Sequence, residues 1–262
     1  MKFSYSFPLT RAFSLYLGQT ALLAMETFTS IAAGRIRWRL VLNQVVEMGF
    51  GSQAVVIITG IFTGAVFTAQ IFFQFSSLNM TSAVGPVVSI ALCRELGPVL
   101  TGLMVAGRVG AAMSAEIGTM KVTEQIDALR ALAVNPIDYL VVPRTVAILI
   151  SMPLLVGECV FFGLLASYFV ATRLLNVSSV YFLHHMWSYT HNKDIAMAMT
   201  KGFVFALIVV FVGCQQGLTT RNGAVGVGRS TTEAVVISSL SILMGNFFLT
   251  MALNIIFPAG VR

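Results

Sequence analysis

A long stretch without charge limits the folds open to this chain. No Asp, Glu, Lys or Arg occurs between Met48 and Cys93, and 57% of the 262 residues are hydrophobic whereas only 10% are charged. Such a composition lies far outside that of soluble globular proteins. Because about 20 apolar residues cross the hydrocarbon core of a bilayer, this stretch alone holds one span and most of a second. The chain is therefore predicted to be an integral membrane protein.

Apolar runs separated by polar breaks predict an all-α fold with five transmembrane helices. The first break, Ser76 to Pro86, combines polar residues with a Gly-Pro pair that is typical of a turn. Ahead of the first span, an amphipathic pattern predicts a helix that lies in the membrane interface. The predicted organisation is an N-terminal interfacial region at 1–47 and a five-span domain at 48–262, with spans near 53–75, 84–114, 145–172, 202–219 and 234–257.

The distribution of basic residues predicts the orientation. Five spans place the two ends of the chain on opposite sides of the membrane. If the N-terminus is inside, the inner segments carry most of the Lys and Arg residues, including Arg35, Arg37 and Arg39. This excess predicts a cytoplasmic N-terminus. The net charge of +6 therefore reflects membrane topology, and we expect no nucleic-acid partner, because the basic residues lie at the ends of apolar runs.

The second predicted span carries charges at membrane depth beside a proline. Arg94 and Glu95 lie in an apolar run, where an isolated charge costs about 2.5 to 3.5 kcal/mol. Pro98 has no N–H to donate to the carbonyl of Arg94, so we expect the helix to bend or open there. One interpretation is a substrate cavity around a broken helix. The other is a proline kink in which both charges pair with neighbouring helices.

Small residues and aromatic residues mark two further features of the first two spans. Gly60 and Gly64 form a GxxxG pattern, which is either a helix-pairing face or a coincidence in a glycine-rich chain. The end of the first span mixes Phe with Gln, a composition that fits a pocket for an amphiphile as well as an interfacial aromatic belt. In the second span, small residues recur every fourth position and predict a packed helix: Gly102, Ala106, Gly110, Ser114 and Gly118.

An amphipathic segment, Lys121 to Leu132, follows the second span. One helical stripe is apolar, and charged residues occupy the rest; the stripe consists of Val122, Ile126, Leu129 and Leu132. The apolar stripe needs a partner, which is the membrane surface, the protein's own spans or a soluble subunit. The charged face is acidic as much as basic, which favours a protein partner over anionic lipid.

Three other patterns carry weaker signals. The segment Gly223 to Ser230, GAVGVGRS, matches a Walker A loop except for Arg229, but it lies between two spans and is interpreted as a tight turn. The histidine-containing segment from Arg173 to Lys201 is predicted to be a solvated loop without a metal site. Since no catalytic constellation occurs, the chain is not expected to be an enzyme. Energy for any uphill transport must come from an ion gradient or another subunit.

Two motifs carry a family resemblance. RELGPVLTGLMVAGRVGAAMSAEIGTMKVTEQIDAL and GVGRSTTEAVVISS resemble the MlaE/YrbE permeases, the membrane subunits of ABC transporters that work with MCE proteins. The resemblance covers about residues 49–257. It implies a homodimer in the bacterial inner membrane that moves phospholipids or other hydrophobic molecules. It also implies a separate ATPase subunit, which uses the ATP, and an MCE-domain protein; no cofactor is expected on this chain.

The resemblance also implies two sets of site residues. The lipid pocket would lie at the dimer interface, where the guanidinium of Arg94 is suited to a phosphate headgroup. Its predicted lining is Phe67, Gln70, Gln74, Phe75, Leu78, Arg94 and Glu95. The segment AEIGTMKVTEQIDAL resembles a coupling helix that docks on the ATPase, with Glu116, Lys121, Glu124, Gln125, Asp127 and Leu129 as the coupling residues.

Two other functions compete with this one. A secondary transporter driven by an ion gradient would use Arg94, Glu95 and Glu158 as a relay, although five spans do not divide into inverted repeats. The third hypothesis is a membrane scaffold without transport activity. The Phe-rich end of the first span leaves the substrate open, including sterols and other apolar compounds.

Overall fold

The computed structural model describes residues 8–78 and 80–256, and within these ranges every regular element is helical. The all-α prediction is therefore confirmed. The long helices are an N-terminal helix, Pro8–Ala32, followed by span 1, Trp38–Ser76; span 2, Thr81–Val122; span 3, Ile137–Leu174; span 4, Asn192–Leu218; and span 5, Gly223–Ile256. Two short helices lie between spans: a linking helix, Gln125–Ala131, after span 2 and a distal helix, Ser179–Tyr189, after span 3.

The five spans are long and apolar enough to cross a membrane, with mean hydropathies of 1.5 to 2.3. Their helices extend beyond the predicted bounds: span 1 begins at Trp38 and span 5 at Gly223. The reason is that hydropathy marks the part of a helix that matches the hydrocarbon core, whereas the hydrogen-bonded helix continues into the polar layers on either side. The predicted end of the fifth span, near residue 257, lies outside the described residues.

The N-terminal helix packs across one end of the bundle, here called the proximal end. The ring of Phe28 meets that of Phe211 of span 4 at 5.8 Å, and Arg35 pairs with Asp138 at the start of span 3 at 3.4 Å. Since consecutive spans run in opposite directions, the proximal end holds the starts of spans 1, 3 and 5. The opposite, distal end holds the starts of spans 2 and 4.

Glycine contacts bring the helix backbones together. A Cβ added at Gly60 would lie 2.5 Å from the carbonyl oxygen of Cys159, and one added at Gly64 would lie 2.1 Å from that of Gly163. Spans 1 and 3 therefore touch backbone to backbone, and the GxxxG pattern is a pairing face. The prediction that span 2 is packed is also confirmed, because a Cβ at Gly213 of span 4 would lie 3.0 Å from the carbonyl oxygen of Gly110.

The prediction of a solvated loop between spans 3 and 4 is wrong. Residues 179–189 form the distal helix, and span 4 begins at Asn192. The distal helix is amphipathic: Phe182 is buried against Val84 and Val88 of span 2, whereas Trp187 is exposed. The histidines are spread along this helix and its end, and no group of three or more potential metal ligands occurs among residues 8–78 and 80–256.

The Walker-like segment is the first part of span 5 and is helical. The turn comes before it, where Asn222 and Gly223 have φ of +66° and +62°. A Cβ at Gly226 would lie 1.5 Å from the carbonyl oxygen of Arg221, so only glycine fits there. The interpretation of the whole segment as a tight turn is therefore wrong: only Gly223 belongs to the turn, and Gly226 serves a close backbone approach inside the helix. The segment is also not the loop that a phosphate-binding motif requires.

Candidate substrate and coupling sites

Arg94 is paired within the protein. It lies in a π-helical segment of span 2, Leu92–Leu96, and its Nε donates to Oδ1 of Asp194 at 2.5 Å. The side chain of Asp194 is fully buried, and its Oδ2 accepts the backbone N–H of His191 at 2.8 Å. The side chain of Arg94 stays 25% exposed, and neither of its Nη atoms has an acceptor among the described residues. Arg94 is thus anchored through one nitrogen and keeps both terminal nitrogens for another partner.

Lys201 fills the gap that Pro98 leaves. Pro98 cannot donate to the carbonyl oxygen of Arg94, and Nζ of Lys201 donates to that oxygen at 2.6 Å. The same ammonium donates to Oγ1 of Thr250 at 2.8 Å and pairs with Oε2 of Glu95 at 2.9 Å. All three of its N–H groups are therefore used, which explains how a lysine can be fully buried in a membrane span.

Glu95 joins span 2 to span 5. Its carboxylate accepts hydrogen bonds from Nδ2 of Asn246 at 2.9 Å and from Oγ1 of Thr250 at 3.0 Å, besides the ammonium of Lys201. Its side chain is 37% exposed. We call Arg94, Glu95, Asp194 and Lys201 the distal charge cluster. It contains two cations and two anions, so its formal charge is zero, and it ties span 2 to spans 4 and 5.

The other predicted pocket residues, on span 1 and in the turn just after it, do not join this cluster. Phe67 and Phe75 pack into an apolar cluster with Leu92 and the distal helix. Gln70, Gln74 and Leu78 are exposed at the distal end of span 1. Within one chain, the seven predicted substrate residues therefore fall into two groups, which bond or pack to different spans. Their joint role as one pocket stays a prediction.

The predicted coupling segment is two helices joined at a strained residue. Span 2 continues to Val122, and Glu124 adopts the left-handed conformation with φ of +62° before the linking helix begins. Ile126 is fully buried, and Leu129 packs on the same core. The expectation that a separate protein covers this apolar stripe is therefore wrong, because the protein's own helices cover it. Leu132 alone of the stripe is largely exposed.

The charged coupling residues have partners of their own. Asp127 accepts from Arg130 at 3.0 Å and lies 3.4 Å from Lys121. Glu116 pairs with Arg144 of span 3 at 2.7 Å, so it stabilises the proximal end. Glu124 and Gln125 remain exposed. A cavity of about 280 Å³ lies beside the linking helix, between it and the N-terminal helix.

Glu158 forms no hydrogen bond or ion pair with the distal charge cluster among the described residues. Its Oε1 accepts from Nε2 of Gln53 at 2.8 Å, and its buried Oε2 has no hydrogen-bond partner within the part of the chain that the structure describes. It pairs with neither Arg94 nor Arg108. A charge relay would need hydrogen bonds from Glu158 to the distal charge cluster, and none is found among the described residues.

Sequence reasoning missed Asp194 and Lys201. Both fell within the segment that was predicted to be a loop, so no helical register was assigned to them. A usable signal was present, because residues seven apart lie on one helix face. Met197 and Ala198, between them, are buried on that face.

The fold and the site together define a polytopic helical membrane protein whose second span is a continuous helix with a π-helical segment at its paired charges. Residues 41–252 match the family described as Permease MlaE. The chain therefore belongs to the MlaE permease family, as its motifs predicted.

Named relatives extend this result. The chain is 44% identical to a probable ABC transporter permease protein of Synechocystis, over 86% of each chain. It is 41% identical to a probable ABC transporter permease protein of Rickettsia felis, over 92% of this chain and 93% of that one. It is also 38% identical to the Arabidopsis thaliana protein TRIGALACTOSYLDIACYLGLYCEROL 1, chloroplastic, over 87% of this chain and 65% of the plant protein.

Proposed function

We propose that this permease is the membrane-spanning subunit of an ABC transporter for phospholipids or related hydrophobic molecules. Membership of the permease family supports a role in transport. The names of the bacterial relatives support the ABC class, and the name of the plant relative, which is that of a galactolipid, supports a lipid substrate. The observation that carries the proposal is the geometry of Arg94, whose Nε is fixed by Asp194 while both Nη atoms stay without an acceptor in the described chain.

A phosphate suits this arrangement. The two free nitrogens of a guanidinium form parallel N–H···O bonds with two phosphate oxygens, a geometry that an ammonium cannot reproduce. The carboxylates of Glu95 and Asp194 already have donors of their own, so an incoming anion leaves neither of them unpaired. Lys201 and Asp194 act as positioning residues that hold Arg94 at this depth.

The remaining subunits follow from the same proposal. The exposed part of the linking region, with Glu124, Gln125, Asp127 and Leu132, is the contact for the ATPase subunit, which hydrolyses the ATP. The permease is a homodimer in the bacterial inner membrane, and an MCE-domain protein binds the opposite side. A cytoplasmic N-terminus puts the linking helix on the side of the ATPase.

The test is a pull-down of the tagged protein from its host in mild detergent, with mass spectrometry of co-purifying proteins and lipids. We expect an ATPase, an MCE-domain protein and phospholipid with the wild type. Arg94→Gln should keep both proteins but lose most of the lipid, whereas Arg173→Gln, at the distal end of span 3, serves as the matched control. A wild type that co-purifies with no ATPase in any mild detergent would contradict the proposal.

An ion-gradient transporter is the alternative, and Glu158, with one buried oxygen unpaired, is the observation that favours it. That mechanism requires Glu158 to exchange a proton. Glu158→Gln would then abolish transport, whereas the ABC proposal expects transport to persist. Collapse of uptake by an uncoupler in the absence of any ATPase would support the alternative.

A further inference from the structure

A second arginine of span 2, Arg108, lies at the opposite half of the same helix. It follows Arg94 by 14 residues, which corresponds to about 21 Å along a helix, or two thirds of a hydrocarbon core about 30 Å thick. Arg108 is exposed beside a cleft of about 100 Å³ between spans 1 and 2. Span 2, Thr81–Val122, therefore carries one guanidinium in each half of its length.

The guanidinium of Arg108 is held against the backbone of span 1. Its Nη1 donates to Oγ of Ser52 at 3.0 Å, and a Cβ added at Gly51 would lie 3.0 Å from its Nη2. The absence of a side chain at Gly51 is what lets the group lie there. Across residues 8–78 and 80–256 its other N–H groups have no acceptor. Arg108 is thus anchored at one nitrogen and keeps donors free, as Arg94 does.

Each wall of the cleft includes residues of a π-helical segment. Val46–Phe50 of span 1 contributes two lining residues and Ala106–Gly110 of span 2 contributes two, and π-turns inside helices occur frequently at functional sites. The first segment contributes Glu47 and the second contributes Arg108. The carboxylate of Glu47 accepts a hydrogen bond from the amide of Gln44 at 3.5 Å. It forms no ion pair with a cation within the described part of the chain.

The other charges near the cleft are already used. Glu116 also lines it, but its carboxylate pairs with Arg144 at 2.7 Å. The cleft therefore offers one guanidinium and one carboxylate that lacks a cation. Exposed apolar side chains lie close to Glu47 in the sequence of span 1: Leu42, Val46 and Phe50. A ligand with a phosphate, a neighbouring ammonium and an apolar tail matches all three elements.

We propose that this cleft binds the headgroup of a phospholipid that carries a primary ammonium, with the phosphate on Arg108 and the ammonium on Glu47. The acyl chains lie along Val46 and Phe50. The inference rests on the proposed function, because it assumes that the permease handles phospholipid. It adds a second lipid site, in the proximal half, that selects ethanolamine-type headgroups over choline and glycerol.

The selectivity has a simple physical basis. A primary ammonium has N–H donors that can form a charged hydrogen bond with a carboxylate, whereas the quaternary ammonium of choline has none and glycerol carries no positive charge. Loss of a charged hydrogen bond changes affinity by about tenfold or more. Glu47 therefore determines the choice of headgroup, and Arg108 determines whether any phosphate is retained.

Native mass spectrometry of the purified protein tests both roles. The tagged protein, in mild detergent, is incubated with equal amounts of phosphatidylethanolamine, phosphatidylcholine and phosphatidylglycerol. The wild type should retain phosphatidylethanolamine in about tenfold preference over phosphatidylcholine. Glu47→Gln should abolish that preference but keep binding, and Arg108→Gln should lower retention of all three. Arg229→Gln, an exposed arginine paired with Glu233 at the start of span 5, is the matched control and should change nothing.

Further arms separate this inference from the proposed function. If Arg94→Gln loses lipid while Arg108→Gln and Glu47→Gln behave as the wild type, the proximal site is wrong and the transporter proposal stands. A wild type that retains no lipid and no ATPase overturns both. Arg108→Lys keeps a positive charge that reaches the membrane interface but loses the bidentate geometry of the guanidinium. If this variant retained as much lipid as the wild type, Arg108 would be a simple interfacial anchor and the proposed site would be wrong. Displacement of the lipid by an equal concentration of glycerophosphoethanolamine would show that acyl chains add nothing, and would overturn a lipid site.

Discussion

Replacement of Lys201 by methionine tests the distal charge cluster most directly. Methionine nearly matches the volume of lysine but removes the ammonium from Glu95 and from the carbonyl oxygen of Arg94, both within 3 Å. Breaking a buried ion pair from one side costs about 3 to 5 kcal/mol. Glu95 keeps two neutral donors and is 37% exposed, so we expect the lower end, about 3 kcal/mol.

Thermal unfolding of the detergent-solubilised protein measures this cost. In a chain of this size, 1 kcal/mol corresponds to about 2 to 4 °C, so Lys201→Met should lower the Tm by about 6 to 12 °C. Lys193→Met is the control, because Lys193 is exposed on the first turn of the same helix, and its Tm should not change.

A double mutant separates the ion pair from simple packing. In Lys201→Met with Glu95→Gln, the unpaired carboxylate is gone, so the double variant should recover about half of the lost stability. If the two substitutions are instead additive to within about 0.5 kcal/mol, Lys201 and Glu95 are not coupled and the reasoning fails.

Three further predictions concern other parts of the chain. Gly64→Ala should cost about 1 to 3 kcal/mol, because its Cβ would lie 2.1 Å from a carbonyl oxygen of span 3, whereas Gly18→Ala, in open space, should not destabilise; unchanged thermal unfolding of both would contradict the backbone contact. Ala133→Gly should stabilise by about 1 kcal/mol, because Ala133 closes the linking helix at φ of +56°; a lower Tm would show that the strain is absent. Glu158→Gln should leave lipid transport in reconstituted vesicles within about twofold of the wild type, since an amide can keep the bond to Gln53; complete loss of transport would favour the ion-driven alternative.

Hydropathy and small-residue spacing were sufficient to predict the architecture. The uncharged run after Met48 and the glycine pattern of spans 1 and 2 depend on local properties, namely transfer into lipid and backbone approach. The loss of a helical donor for the carbonyl of Arg94 was likewise predictable, because a missing N–H is a property of Pro98 itself. The helix nevertheless continues through this point as a π-helical segment. What satisfies the freed carbonyl was not, since the donor comes from Lys201, more than a hundred residues away.

The coupling region shows the opposite difficulty. Its amphipathic stripe was recognised, but periodicity says only that a face is apolar and not what covers it. Ile126 and Leu129 are covered by the protein itself, and the residue that ends the stripe, Leu132, is the exposed one. The split of the segment at Glu124 was also hidden, because glutamate has no preference for a left-handed backbone that would mark the position in a sequence.

The contact between spans 1 and 3 restricts the motions open to a transport cycle. At Gly60 and Gly64 the two helices meet through main-chain atoms, so a slide of one helix past the other cannot be accommodated there by a change of side-chain rotamer. Spans 1 and 3 are therefore expected to move as one rigid unit. If the protein alternates access to the two sides of the membrane, the opening must occur at other helix–helix interfaces, where side chains with several rotamers separate the helices.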